Sequence, residues 1–135
     1  MNWLTQKQVK DEAKKGRKAA LFCCWLHWHQ CTTATNKEII ERRIRIEGMI
    51  CFNYCAMCRK YFDWPNDCPK CVLQCHEMWR VAERILSNLQ YYTTSDNYHK
   101  WRKASRAILA KIERTIERLY GEKGLKAARS QASKE

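Results

Sequence analysis

Glycine and proline are scarce. The 135 residues hold four of the first and two of the second. That excludes a chain of long flexible linkers and disfavours an all-β fold with many tight turns. Long apolar runs are also missing. The longest, "AALFCCWL" from Ala19 to Leu26, is too short to span a bilayer. The opening "MNWLTQKQVK" has no apolar block of the kind a secretory leader carries. Acidic residues are few, 14 against 26 Lys and Arg. Absent too are a glycine-rich phosphate loop, a G-x-S-x-G nucleophile turn and any cluster of carboxylates beyond turns and helix surfaces. Asp63/Asp67 fall at a turn and Glu113/Glu117 on a helix surface. "HWHQ" resembles the histidines of small zinc-stapled nucleases, but here it precedes the cysteines on an expected helix. The reading is therefore not an enzyme.

What is present fits one soluble cytoplasmic domain with an ample core. Hydrophobic residues make up 45%, with six Trp and six Tyr. Residues 1–121 are expected to form that domain and residues 122–135 a basic, disordered tail. The net charge of +12 is unevenly spread. Residues 1–18 carry six Lys/Arg against two acids, and residues 96–120 carry seven against three. Such a chain favours an acidic partner, either nucleic acid or an acidic protein surface, and not a membrane.

The periodicity predicts a mainly α fold of three to four helices stapled by a metal knuckle. Thr5 and Gln8 have capping-box spacing and open a short polar helix that stops near Gly16. A second helix runs from Arg17 to about Cys31, with Leu21, Cys24, Trp25 and Trp28 on one face. "KEIIERRIRIEG" starts helically, and the alternation of Ile44 and Ile46 suggests that it ends as a strand. Further on, Cys75, Met78, Trp79, Ala82, Ile85, Leu86 and Leu89 make one helical stripe. After a loop with Ser95 or Asp96 as cap, Trp101, Ser105, Ile108, Ile112, Ile116 and Leu119 make another, ending at Gly121.

Nine cysteines in a reducing compartment point to metal rather than disulfides. Cys55 and Cys58 form one C-x-x-C, and Cys68 and Cys71 form a second, nine residues apart. Two such pairs complete a tetrahedral thiolate site, which suits structural Zn2+. A closed four-cysteine site has no open position for water, so it serves structure rather than catalysis. Cys75, one helical turn after Cys71, is a reserve ligand or a small hydrophobe under the knuckle, and His76 lies outside the set. Cys23, His27 and Cys31 stand at i, i+4 and i+8. That face reads as core with a satisfied histidine or as a second metal site.

The ordered set of His27-Trp28, "CAMC" (55–58), "CPKC" (68–71), Cys75 and "YHKWRKASRAILAKIERTIERL" resembles a group of small, uncharacterised zinc-binding proteins encoded by bacteriophages. The resemblance covers about residues 17–120. It implies a phage origin, a place in the host cytoplasm and Cys75 as part of the motif. Two functions follow as expectations. One is an inhibitor or regulator that binds a host protein or nucleoprotein complex through an acidic surface, with Trp64 at the knuckle tip as anchor. The other is sequence-tolerant binding of DNA or RNA by Lys100, Arg102, Lys103, Arg106, Lys111, Arg114 and Arg118. The basic residues look scattered around the last helix, which tilts the sequence reading toward the protein-binding inhibitor.

Overall fold

The computed structural model describes residues 1–45, Met57, Leu73 and 76–134. These are mainly helical: α1 Gln6–Lys15, α2 Arg17–Thr33, α3 Asn36–Arg45, α4 His76–Tyr91, α5 Ser95–Ser130, and a 3-10 turn Gln131–Lys134. Among the described residues there is no strand, and no helix is long and apolar enough to cross a membrane.

Local chemistry accounts for the helix starts. The Thr5 hydroxyl accepts the Gln8 backbone N–H at 3.1 Å, and the Gln8 side chain returns the bond to the Thr5 N–H at 2.8 Å. This is the capping box that the sequence predicts. Gly16, at φ +129°, separates α1 from α2 in a conformation that favours glycine. The cap of α5 is Thr94, which accepts the Asn97 N–H at 3.2 Å. It is neither Ser95 nor Asp96, the two residues expected. Both sit in the first turn, where Asp96 complements the positive end of the helix dipole and pairs with Lys100 at 3.1 Å.

Two other expectations are corrected. Ile44 belongs to α3, not to a strand. Ile40 and Ile44 are four apart, so the helical period persists through the apparent alternation. Residues 122–134, expected to be a disordered tail, are helical. Leu125 and Ala128 are buried at i, i+3 spacing, which gives that segment an apolar face to dock.

α2 is the hub, packing against α1 on one side and α5 on another, while α4 packs on α5. Ala20, Leu21, Cys23, Cys24, Trp25, His27, Trp28, Gln30 and Cys31 are all buried, so α2 is covered nearly all round, as a central helix should be. The one-sided stripe expected for it is therefore too narrow. The stripe on α5 is as expected as far as Ile116: Trp101, Ser105, Ile108, Ile112 and Ile116 are each fully buried, and Leu119 is half-buried. Trp28, Trp79 and Trp101 meet at the centre. Trp28 lies edge-on to Trp79 with centroids 4.8 Å apart and is tilted against Trp101 at 6.2 Å. Such aromatic pairs add roughly 0.5–1.5 kcal/mol each beyond their burial.

Buried polar groups are braced. Gln30, 1% exposed, accepts the Leu4 N–H at 3.0 Å and donates to the Asn2 carbonyl at 2.8 Å. It thereby holds the N-terminal segment on the end of α2. Ser105 returns its hydroxyl to the Trp101 carbonyl at 2.9 Å, which lets a small polar residue sit inside the core.

Candidate polyanion interface and metal residues

On a helix of 100° per residue, Lys100, Lys103, Arg106, Arg114 and Arg118 fall within an arc of about 120°, opposite the buried stripe of α5. All five are exposed. They extend over about 27 Å at 1.5 Å rise per residue. Ala107 and Ala110, also exposed, occupy the middle of the arc, so the helix backbone is accessible between two basic clusters.

The other two predicted cations flank the arc and are half-buried. Arg102 donates to the Ala34 carbonyl at 2.9 Å and lies over the Tyr98 ring at 6.0 Å. It satisfies the C-terminal end of α2, so its role is structural. Lys111 also has interactions of its own. Two carboxylates share the exposed arc. Asp96 is taken up by Lys100, whereas Glu117 is an exposed acid with no ion pair among the described residues. Lys103, Arg106, Arg114 and Arg118 therefore carry most of the available positive charge.

The sequence reading missed Arg129. Its guanidinium pairs with Glu113, which also accepts the Trp25 indole N–H at 3.4 Å. The available signal was Leu125 and Ala128 at helical spacing beyond Gly121.

The metal residues divide into two sets. Cys55, Cys58, Cys68, Cys71 and Cys75, together with Trp64 and the side chain of His76, lie outside the described residues. Met57, inside the first C-x-x-C, and Leu73, two residues after the second, are described and are 0% and 1% exposed. Both belong to the same apolar core as α2, α4 and α5.

Cys23, His27 and Cys31 are all described and all buried. Among the described residues no three His, Cys, Asp or Glu side chains converge on a position for a metal, so these three do not make a metal site by themselves. Cys31 Sγ and His27 Nε2 are 3.9 Å apart. The His27 ring stacks on Trp79 at 6.0 Å and meets Trp28 edge-on at 5.1 Å. Cys23 sits near Cys24 and Glu12. Burial pushes its thiol up from the ordinary value, and the neighbouring Cys24 and Glu12 add to the effect. A thiol held protonated in this way is a packing residue rather than a nucleophile.

Compared with family models, curated proteins and solved structures, the chain matches none.

Proposed function

We propose that this is a zinc-stapled, non-catalytic protein that binds nucleic acid by its phosphates through the exposed face of α5. The observation that carries this reading is the arc of basic side chains opposite a fully buried stripe. Phosphate contacts of this kind are tolerant of sequence, because they read charge and spacing rather than base edges. The sequence reading leaned toward a protein target because the cations looked scattered. Gathered on one face, they favour a regular polyanion instead.

The donor chemistry of Cys55, Cys58, Cys68 and Cys71 suits a structural Zn2+, with Cys75 in reserve. Bound there, zinc would cross-link the connection between α3 and α4 and so help to fix how α5 is presented.

A labelled duplex followed by fluorescence anisotropy tests the reading. Lys103→Glu with Arg106→Glu should weaken binding at least tenfold while leaving the helical circular dichroism unchanged. Equal affinity of this variant and the wild type would reject α5 as the binding face.

The second reading is an inhibitor or regulator bound to a host protein or nucleoprotein complex. It is supported by the resemblance to phage-encoded zinc proteins and by the exposure of Val81 and Tyr92, 46% and 67%. Val81 lies on α4 and Tyr92 immediately follows its last residue, and exposed tyrosines are frequent interface anchors. Capture from host lysate with and without nuclease separates the two readings. Partners that survive nuclease and are lost in Tyr92→Ala would favour the protein target.

A further inference from the structure

At Gly121 the last helix breaks. Its φ of +72° is a backbone conformation that side chains rarely adopt. Three residues on, a Cβ added to Gly124 would lie 2.4 Å from the Tyr120 Cβ, so this position too is confined to glycine. The two glycines let the chain turn back. Glu113 and Arg129, each eight residues from Gly121, touch across the elbow. Leu125 and Ala128 are buried beneath it, and the Gln131 side chain donates to the Phe22 carbonyl of α2 at 2.9 Å.

The result is a clamp. Arg114 and Arg118 on the first arm and Arg129 on the second line a cavity of about 490 Å3. A neighbouring cavity of about 330 Å3 shares Glu117, Leu125 and Arg129 and adds Glu122, Lys123 and Lys126. Glu113 and Glu117 line the first cavity too; Glu113 accepts the Trp25 N–H and pairs with Arg129, so Arg129 meets an anion only through the guanidinium N–H groups that Glu113 leaves free. Arg114 and Arg118 are exposed and have no ion pair among the described residues. Guanidinium groups from two walls match the tetrahedral oxygens of a phosphate better than lysines on an open face.

We propose that the elbow is a distinct phosphate site, which grips one phosphodiester of a nucleic-acid backbone between Arg114/Arg118 on the first arm and Lys126 and Arg129 on the second. The proposal deepens the α5 reading and rests on it. Straightened, the C-terminal arm would carry Arg129 away from the other two arginines. Glu117, on the rim, opposes the anion and limits its affinity.

The test follows the arginine Nε–H signals by NMR in the full chain, with inorganic phosphate, sodium chloride at matched ionic strength and a 12-base-pair duplex as probes. Phosphate and duplex should both move the signals of Arg114, Arg118 and Arg129 in a saturable way, and chloride should not. Arg129→Gln and Lys126→Gln should each weaken duplex binding roughly fivefold at 0.15 M salt, the loss expected for one phosphate contact. Glu117→Gln should strengthen it. Lys103→Gln should weaken duplex binding yet leave the inorganic phosphate shifts unchanged. Because Arg129 braces the elbow, Lys126→Gln serves as the variant free of structural cost. Equal shifts with chloride, or wild-type duplex affinity in both Arg129→Gln and Lys126→Gln, would overturn the elbow site while leaving the α5 face standing. Failure of the wild type to bind duplex at all would remove the α5 reading itself.

Discussion

Replacing Trp101 by alanine and, separately, by phenylalanine isolates two opposing contributions to the core. Trp101 is 0% exposed and packs on Trp28. Truncation to alanine removes the whole indole from a site enclosed by α2, α4 and α5, for which large-to-small changes cost about 3–5 kcal/mol. The indole N–H of Trp101, like that of Trp28, is buried and has no hydrogen-bond acceptor among the described residues. Burying such a group costs about 1–3 kcal/mol. Phenylalanine keeps most of the ring contacts and removes the unsatisfied N–H, so the lost packing and the relieved polar group should nearly cancel. The net effect should stay within about 1 kcal/mol. For a domain of this size 1 kcal/mol is roughly 3–5 °C in Tm. Thermal unfolding followed by circular dichroism should therefore show Trp101→Ala lower by about 10–20 °C and Trp101→Phe within about 5 °C of wild type. A Trp101→Phe variant as unstable as Trp101→Ala would refute the argument, because it would mean that the indole N–H is satisfied in the folded protein.

Three further outcomes are expected. A strong chelator with reductant should lower Tm and release one zinc per chain, and Co2+ reconstitution should give a thiolate-rich tetrahedral spectrum lost in Cys55→Ser and Cys68→Ser; unchanged melting under chelation would reject the staple. Because burial holds the Cys23 thiol above its ordinary value, the folded chain keeps a proton that the unfolded chain releases at alkaline pH. The stability this thiol contributes is complete below about pH 8.5 and falls as pH rises past it, by at most about 1.4 kcal/mol per pH unit. Tm measured from pH 7 to 10 should fall less steeply in Cys23→Ala, and identical slopes would contradict the assignment. Thr94→Ala should cost about 1 kcal/mol by removing the cap of α5, read by urea denaturation, with no change expected for Ser95→Ala.

Where local chemistry decides the outcome, the fold is legible in the chain. The Thr5/Gln8 box, the α5 stripe and the break in the helix at Gly121 all follow from residues within a turn or two of one another. Misreadings occur where a distant partner decides. Nothing near Arg102 indicates that it caps a carbonyl at Ala34, 68 residues away. The second arm looked like a tail because only Leu125 and Ala128 mark its buried side, and they acquire a partner only when the chain turns back at Gly121. The basic face was partly visible: the cations were counted correctly, but their grouping emerges only when Arg102 and Lys111 are set apart as flanking residues. The set Cys23, His27 and Cys31 shows the reverse limit. Its i, i+4, i+8 spacing satisfies a pattern, yet on α2 the three side chains do not converge on one point.

The most direct measurement is the salt dependence of duplex binding for the wild type and for Arg114→Gln/Arg118→Gln. Four available cations on the α5 arc give a slope of log K against log salt of about −3.6 or steeper, a loss of roughly 150-fold or more in affinity between 50 and 200 mM. The double variant should be shallower by about 1.8. A flat response in the wild type, or equal slopes for the two proteins, would contradict the claim that α5 binds nucleic acid by its phosphates.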